Sequence, residues 1–325
     1  MASYTNMTGV PLSVAVYLAT DNYDYDASAI SATSLIKPLR QLVLSARVPA
    51  GKDAVDILSV VKSRTGSAIH DGIERAWKGN YHQAMELLGY PQEIRDRIKI
   101  NPDPKTLTMH DIPVYMELRS SRVIDGQKIS GKFDFVAEGR VEDFKTTTVF
   151  TWINDTKTDD YKLQGSIYRW LNPDIITEDH MAIQFIFTDW SPGRSSEPSY
   201  PNRITEQKLI PLMSLQDTEE YIRHRLATIR HMRNLPQEEL PQCTDAELWR
   251  REPAYKYYRD PTKRVRSTRN FDDAASAYAY KANEGKGEGI VVEVPGEAVA
   301  CRYCKAFPVC TQKDDLIANG SLKLQ

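Results

Sequence analysis

The chain has 325 residues, 41% of them hydrophobic and 26% charged, and a formal net charge of −2. That length supports one large domain or two small ones with ample core, and the composition is that of a soluble globular protein. No apolar run reaches membrane-spanning length and no G-x-x-x-x-G-K-[ST] phosphate loop is present, so neither a helical membrane span nor an ATP-driven motor is encoded, while the near-zero charge leaves nucleic acid open as a partner.

Residues 1–28 are polar and aromatic, and Tyr23, Tyr25 and several aspartates read as an exposed arm. No basic leader precedes the short apolar piece Val10–Ala19, so no signal peptide is expected and the localisation expected is cytoplasmic. From Ser31 a helix is predicted, capped by Ser31 or Thr33, with Leu35, Leu39, Leu42, Val43 and Ala46 at helical spacing. Lys37, Arg40 and Arg47 lie along it, either as a solvated face or as a phosphate-contacting one. Residues 53–78 predict a second helix, on which His70 and Glu74 share a face opposite or beside the apolar Val61, Ile69, Ile73 and Trp77. Ile112–Val123 alternates as a strand and leads into an Asp125-Gly126 hairpin turn. Glu117 on that strand reads as an exposed glutamate.

The most informative stretch runs from Gly131 to Tyr168. Gly131-Lys132-Phe133-Asp134 and Glu142-Asp143-Phe144-Lys145 predict adjacent antiparallel strands joined by a turn at Glu138-Gly139-Arg140. Strand side chains alternate faces, so Asp143 and Lys145 share one face and Phe144 points the other way. Two carboxylates placed close together repel, and a divalent cation relieves the repulsion. A lysine beside them can orient water or stabilise charge in a transition state. Gln164 and Tyr168 are four apart and share a helical face. Met181–Thr188 then reads as a buried strand, residues 191–202 as a loop, Thr205–Met213 as a strand and Leu215–Met232 as a helix.

These pieces resemble the PD-(D/E)xK nuclease superfamily, in its RecB-like exonuclease branch. The branch has a helical histidine, a G-x-x-D strand, a D/E-x-K strand and a Q-x-x-x-Y helix. Their counterparts here are His70, Gly131 to Asp134, Asp143 to Lys145, and Gln164 to Tyr168. The resemblance covers roughly residues 55–190. It implies an α/β, restriction-endonuclease-like core, a mixed sheet flanked by helices. It also implies Mg²⁺ or Mn²⁺ held by His70, Asp134, Asp143 and the main-chain carbonyl of Phe144. For Glu117 it implies the alternative of an extra carboxylate beside the metal. Lys145 would act on the nucleophile or the transition state, and Gln164 and Tyr168 would orient substrate and lysine.

All four cysteines lie in the last third of the chain. Cys301-x-x-Cys304 is followed by Cys310, and Cys243 stands alone upstream. Close cysteine pairs without an export signal favour metal over disulfide, and four thiolates hold a 4Fe–4S cluster or a zinc ion. The C-x-x-C-x-x-x-x-x-C ending is similar to the tails of the AddB-type and CRISPR-associated iron–sulfur nucleases. In those families the first cysteine precedes the nuclease motifs, whereas Cys243 follows them. Between Cys243 and Cys301, residues 255–269 carry Lys256, Arg259, Lys263, Arg264, Arg266 and Arg269 with Tyr255, Tyr257 and Tyr258 interleaved. Such a segment is either a solvated loop or a surface on which cations meet phosphates and tyrosines stack on bases.

The division expected is residues 1–50 as arm and helix, 51–235 as nuclease core, and 236–325 as a cysteine-rich metal-binding and DNA-guiding segment. The function expected is a metal-dependent DNA exonuclease acting on linear single- or double-stranded ends. By resemblance it is bacteriophage-encoded and serves recombination, replication or repair in the host cytoplasm, alone, as a homo-oligomer or with a recombination partner. The alternatives are a structure-specific endonuclease and a non-catalytic nucleic-acid-binding protein.

Overall fold

Two turns organise the central part of the chain. At Asp125-Gly126 the φ angles are 48° and 74°, and at Glu138-Gly139 they are 51° and 77°. Two successive positive φ values are the requirement of a type I′ hairpin, and glycine in the second place meets it without strain. The computed structural model in which these turns are seen describes residues 4–20, 26–49 and 55–323. The Tyr23 and Tyr25 portion of the expected arm lies outside the described residues.

The fold is mixed α/β. Nine strands matter for the first unit: β1 (Ala29–Ser31), β2 (Ile98–Ile100), β3 (Ile112–Met116), β4 (Arg119–Ile124), β5 (Gln127–Lys132), β6 (Phe135–Ala137), β7 (Arg140–Thr147), β8 (His180–Phe187) and β9 (Thr205–Pro211). Six of them form one mixed sheet in the order β9-β8-β7-β6-β3-β2, and three form a smaller sheet in the order β1-β5-β4. β7 is antiparallel to β6 and parallel to β8, with Asp143 opposite Ile183 and Lys145 opposite Phe185. The helices α1 (Val61–Leu87), α2 (Thr158–Leu171) and α3 (Leu215–Met232) flank the strands.

The sheets differ from the sequence expectation at two points. Ile112–Val123 is two strands in two sheets, because Glu117 takes φ 52° and redirects the chain. Gly131 and Lys132 pair with Ser120 and Arg119 in the small sheet, and only from Phe135 does the chain pair with β7, Phe135 opposite Glu142. Asp134 therefore sits at the crossing from one sheet to the other rather than within a strand.

The helix predicted from Ser31 is also two pieces. The Ser31 hydroxyl does accept from the Ser34 N–H at 3.1 Å as a cap. Ala32–Leu35 then stops, and Leu39–Ser45 begins after Pro38, which cannot donate the hydrogen bond a continuous helix would need. These pieces belong to different compact units. One comprises residues 1–36 and 54–227, the other 37–53 and 228–325. The first 50 residues are thus shared between two units. The helix expected over 53–78 is regular from Val61 and runs on to Leu87.

In the first unit the core joins helix to sheet. Trp77, Tyr81 and Met85, spaced by four on α1, pack on Ile98, Val114, Met116 and Phe135. The second unit contains a three-stranded antiparallel sheet with β10 (Ala254–Tyr258) between β11 (Arg269–Phe271) and β12 (Ile290–Val294). Its two apolar clusters form around Val43, Leu44, Leu240 and Ala306, and around Leu248, Ala298, Leu316 and Leu322.

Candidate active site

Beyond the Phe135–Glu142 pair β7 keeps β8 but loses its partner on the β6 side, and there side chains take over from the ladder. The Phe144 N–H donates to Asp134 Oδ2 at 2.9 Å. The Phe144 carbonyl lies 2.9 Å from His70 Nε2. A carbonyl only accepts, so Nε2 carries the hydrogen. Nδ1 of the same ring then faces Asp134 Oδ2 at 3.4 Å. His70 is two helical turns before Trp77 and so emerges on the side of α1 that packs on the sheet.

Burial opposes a charge on His70, but Asp134, and more weakly Asp143, outweigh it and hold the imidazole above its usual value. Burial also works against the Asp134 carboxylate, yet His70 and Lys145 keep it below the usual range. His70, Glu117 and Asp134 each offer a ligand atom within 4.8 Å of the others. Burial pushes the Glu117 carboxyl up, opposed by its ion pair with Lys132. The left-handed backbone that directs Glu117 here is costly for a non-glycine residue, and such conformations concentrate at functional sites. Glu117 is the one member of this group that sequence reasoning left open between two roles. Its backbone conformation, which settles its place, has no sequence signal.

Asp143 and Lys145 form an ion pair on one face of β7. Asp143 is 1% exposed, and burial pushes its carboxyl up to about 6, with Asp134 adding and Lys145 opposing. Lys145 is in turn held above its usual value, the two carboxylates outweighing burial. At neutral pH both partners are charged. The Gln164 side-chain N–H₂ donates to Asp143 Oδ1 at 3.1 Å and to the Tyr168 hydroxyl at 2.8 Å. Asp143 Oδ2 makes no well-directed hydrogen bond and meets only the Lys145 ammonium among the described residues. The Lys145 ammonium also lies 5.6 Å from the centre of the Tyr161 ring. Asp143 is not one of the three residues whose ligand atoms converge. It adjoins them through Phe144. A divalent cation suits this donor set: two carboxylates, an imidazole and a neighbouring carbonyl, with a further buried carboxylate oxygen lacking a directed partner.

In the second unit all four cysteines are free and half-buried. Burial pushes the Cys243 thiol up to about 12, with Glu247 and the other three cysteines adding, and pushes Cys301 up to about 11. Cys243, remote in sequence, is fixed by Gln312, whose side-chain oxygen accepts the Cys243 N–H at 2.9 Å. The Gln312 amide returns a bond to the Cys243 carbonyl at 3.0 Å. No three of the four sulfurs come within 4.8 Å of one another. A single tetrahedral zinc would need them roughly 3.8 Å apart, given Zn–S bonds of about 2.3 Å.

The basic segment forms a hairpin. β10 and β11 are its stem, and residues 259–266 form an exposed tip carrying Arg259, Lys263, Arg264 and Arg266, while Lys256 is half-buried on the stem. The tyrosines depart from expectation. Tyr257 and Tyr258 are buried, Tyr257 packing edge-on against Tyr280 at 5.2 Å, so they hold the stem together and are not free to stack on bases. Consecutive residues of this central strand face opposite sides of the sheet, and both sides are covered at these two positions, whatever the neighbouring cations.

No protein-family model matches the chain, and no curated protein does. Among solved structures the chain is similar to the one titled "Crystal structure of SSO0001", with 15% identity over 64% of this chain and 79% of that one, at a TM-score of 0.38. It is also similar to a phage related exonuclease from Haemophilus somnus 129PT, with 14% identity over 62% of this chain and 92% of that one, at a TM-score of 0.28. Likenesses of this size carry no argument about chemistry.

Gly131 links the site to its support. A Cβ built there would stand 2.8 Å from Leu171 Cδ1 and 3.0 Å from Tyr168 Cδ1, so a side chain at residue 131 would press on these two residues of α2 and displace one or both. The Gly131→Ala variant is expected to lose about 1–3 kcal/mol in urea unfolding, as overpacked sites do. It should also shift the environment of Tyr168. Unchanged stability would show that α2 has room to move.

Proposed function

We propose that this chain is a divalent-metal-dependent nuclease that hydrolyses DNA phosphodiester bonds from linear ends. The observation that carries the reading is the convergence of His70, Glu117 and Asp134 beside the buried Asp143–Lys145 pair, tied to α2 through Gln164 and Tyr168. His70, Glu117 and Asp134 would hold Mg²⁺ or Mn²⁺, with Asp143 and the Phe144 carbonyl adjoining. When bound, the cation supplies Lewis acidity to the phosphate and lowers the pKa of water. The residues of the chain do the rest. Lys145 holds a positive charge on the same face as the carboxylates, where it offsets charge gathering on the phosphoryl oxygens. Gln164 fixes Asp143 Oδ1 and leaves Oδ2 to the lysine, so the pair is oriented before substrate arrives. His70 must give up a proton to ligate, so metal binding releases protons and weakens at acid pH. A role confined to binding gives no reason for a buried aspartate–lysine pair next to an open carboxylate group. The setting that fits such an activity is DNA recombination, replication or repair.

The cysteines of the second unit fit a thiolate-held metal centre with a structural role. We take the centre as a 4Fe–4S cluster with zinc as the alternative, since four thiolates hold either. The basic hairpin tip fits the DNA backbone as a guiding surface.

Asp143→Asn and Lys145→Ala should each reduce cleavage by at least about 10²-fold, the scale of lost transition-state electrostatics, with folding intact. Calorimetry with Mn²⁺ separates them: Lys145→Ala keeps metal binding and Asp143→Asn weakens it. Wild-type turnover in either variant removes that residue from the mechanism. With labelled DNA and Mn²⁺, the reading requires progressive loss of linear molecules and intact circles. Cut circles indicate an endonuclease, and retardation without cleavage indicates a binding protein.

Neutralising Lys263, Arg264 and Arg266 together should weaken DNA binding and flatten its log–log salt dependence by about 0.7–0.9 per lost phosphate contact. Single-turnover cleavage at saturating DNA should hardly change. An unaltered salt slope would make the tip a solvated loop.

Anaerobically purified protein should be brown and carry iron, and Cys243→Ala should lose it. A colourless preparation with zinc indicates the other metal. Full metal retention by Cys243→Ala removes Cys243 from the ligand set.

A further inference from the structure

Arg40 has a place that neither of its sequence readings provides. It is 2% exposed, neither on a solvated face nor available to phosphate. Its Nε–H donates to Cys310 Sγ at 3.3 Å. One terminal nitrogen donates to the carbonyls of Gln237 at 3.0 Å and Leu240 at 3.2 Å, and the other to the Thr311 hydroxyl at 3.1 Å. Gln237 closes the group by accepting from the Thr311 N–H at 3.0 Å and hydroxyl at 3.2 Å. All these residues lie in the second unit.

Among the described residues Arg40 is met by hydrogen-bond acceptors and not by a carboxylate. A guanidinium stays charged in proteins, and a buried charge is costly unless a counter-charge meets it. Among the described residues no carboxylate forms an ion pair with Arg40, and its partners are two carbonyls, a hydroxyl and a sulfur. Of these only the sulfur can carry a full negative charge, and it does so as a thiolate.

We propose that Arg40 is the built-in counter-cation of the thiolate metal centre, acting on it through Cys310. This rests on the reading of the four cysteines as metal ligands. Metal binding converts the thiols to thiolates, so the centre is where the second unit would accumulate negative charge. A cation and an N–H···S bond at one ligand stabilise that charge and stabilise the more negative reduced state of a cluster most. Arg40 is a positioning residue, since it touches a ligand and not the metal. It also ties the helix Leu39–Ser45 to the tail that carries the last ligand.

The test uses the full chain purified without oxygen, as wild type, Arg40→Gln and Arg40→Lys. Gln removes the charge and keeps an amide donor, whereas Lys keeps the charge and loses the fork. Metal content, the rate at which a chelator strips the metal, and, where iron is bound, the midpoint potential in a dye-mediated titration are measured. Melting of the stripped proteins serves as the structural control. Arg40→Gln should lose metal affinity roughly 10- to 100-fold, the usual scale for a group supporting a ligand, and its midpoint potential should move to more negative values. Arg40→Lys should recover much of both. Equal chelator release and equal potential in wild type and Arg40→Gln overturn the assignment of Arg40 while leaving the metal centre standing. A loss of stripped-protein stability shared equally by Gln and Lys, with metal retention unchanged, reduces Arg40 to a carbonyl tie and also overturns it. A wild-type protein that binds neither iron nor zinc overturns the thiolate centre itself, and with it this role of Arg40.

Discussion

The candidate site depends on one peptide group. At Phe144 the sheet has run out of partner strand on the β6 side, and both hydrogen-bonding groups of that residue would be stranded without a substitute. Asp134 supplies an acceptor for the N–H, and His70 a donor for the carbonyl. The residues that complete the ladder are thus the ones that bring a carboxylate and an imidazole to the strand bearing Asp143 and Lys145. Structure and chemistry are not separable here. Removing Asp134 would leave a backbone amide unpaired as well as removing a ligand, so loss of activity in such a variant would not by itself identify a ligand. Asp143 and Lys145 are cleaner probes because the strand pairing of β7 with β8 does not use their side chains.

The arrangement is held from two sides by helices, α1 packing two turns away from the site and α2 packing next to it. α1 is fixed by Trp77, Tyr81 and Met85 against the sheet, which sets the position of His70 two turns earlier. α2 is fixed by its close approach to Gly131, which sets Tyr168 and, through it, Gln164. His70, Asp143, Lys145, Gln164 and Tyr168 are therefore carried on helices or strands, while Glu117 and Asp134 lie at the joints between strands. The burial of Asp143 has a cost, visible as its raised carboxyl, and Lys145 and Gln164 offset it.

Much of this was legible in the sequence because it is local. The alternation of Asp143, Phe144 and Lys145, the four-residue spacing of Gln164 and Tyr168, the two glycine turns and the α3 helix follow from periods of two and 3.6. What was hidden is non-local. Ile112–Val123 has the composition of one strand, and only the left-handed Glu117 divides it between two sheets. Arg40 lies in a helical pattern that favours either water or phosphate, and its burial is decided by Gln237, Leu240 and Cys310, some two hundred or more residues away. Tyr257 and Tyr258 looked available because cations flank them, but both are buried, Tyr257 against Tyr280 of a helix that follows in the chain.

A common pattern links the two candidate centres. In each, a cation is held among polar partners away from water: Lys145, Lys132 and His70 among carboxylates in one unit, Arg40 among carbonyls, a hydroxyl and the Cys310 sulfur in the other. The cations differ in a way that matches the tasks. Lysine is a point charge on a flexible stem and can follow a changing phosphate or carboxylate. Arginine has a planar fork that locks several acceptors at once and keeps its charge under burial. A site that must rearrange during a reaction is served by the first, and a site that must stay in place by the second. The placing of Lys145 in one unit and Arg40 in the other accords with that difference.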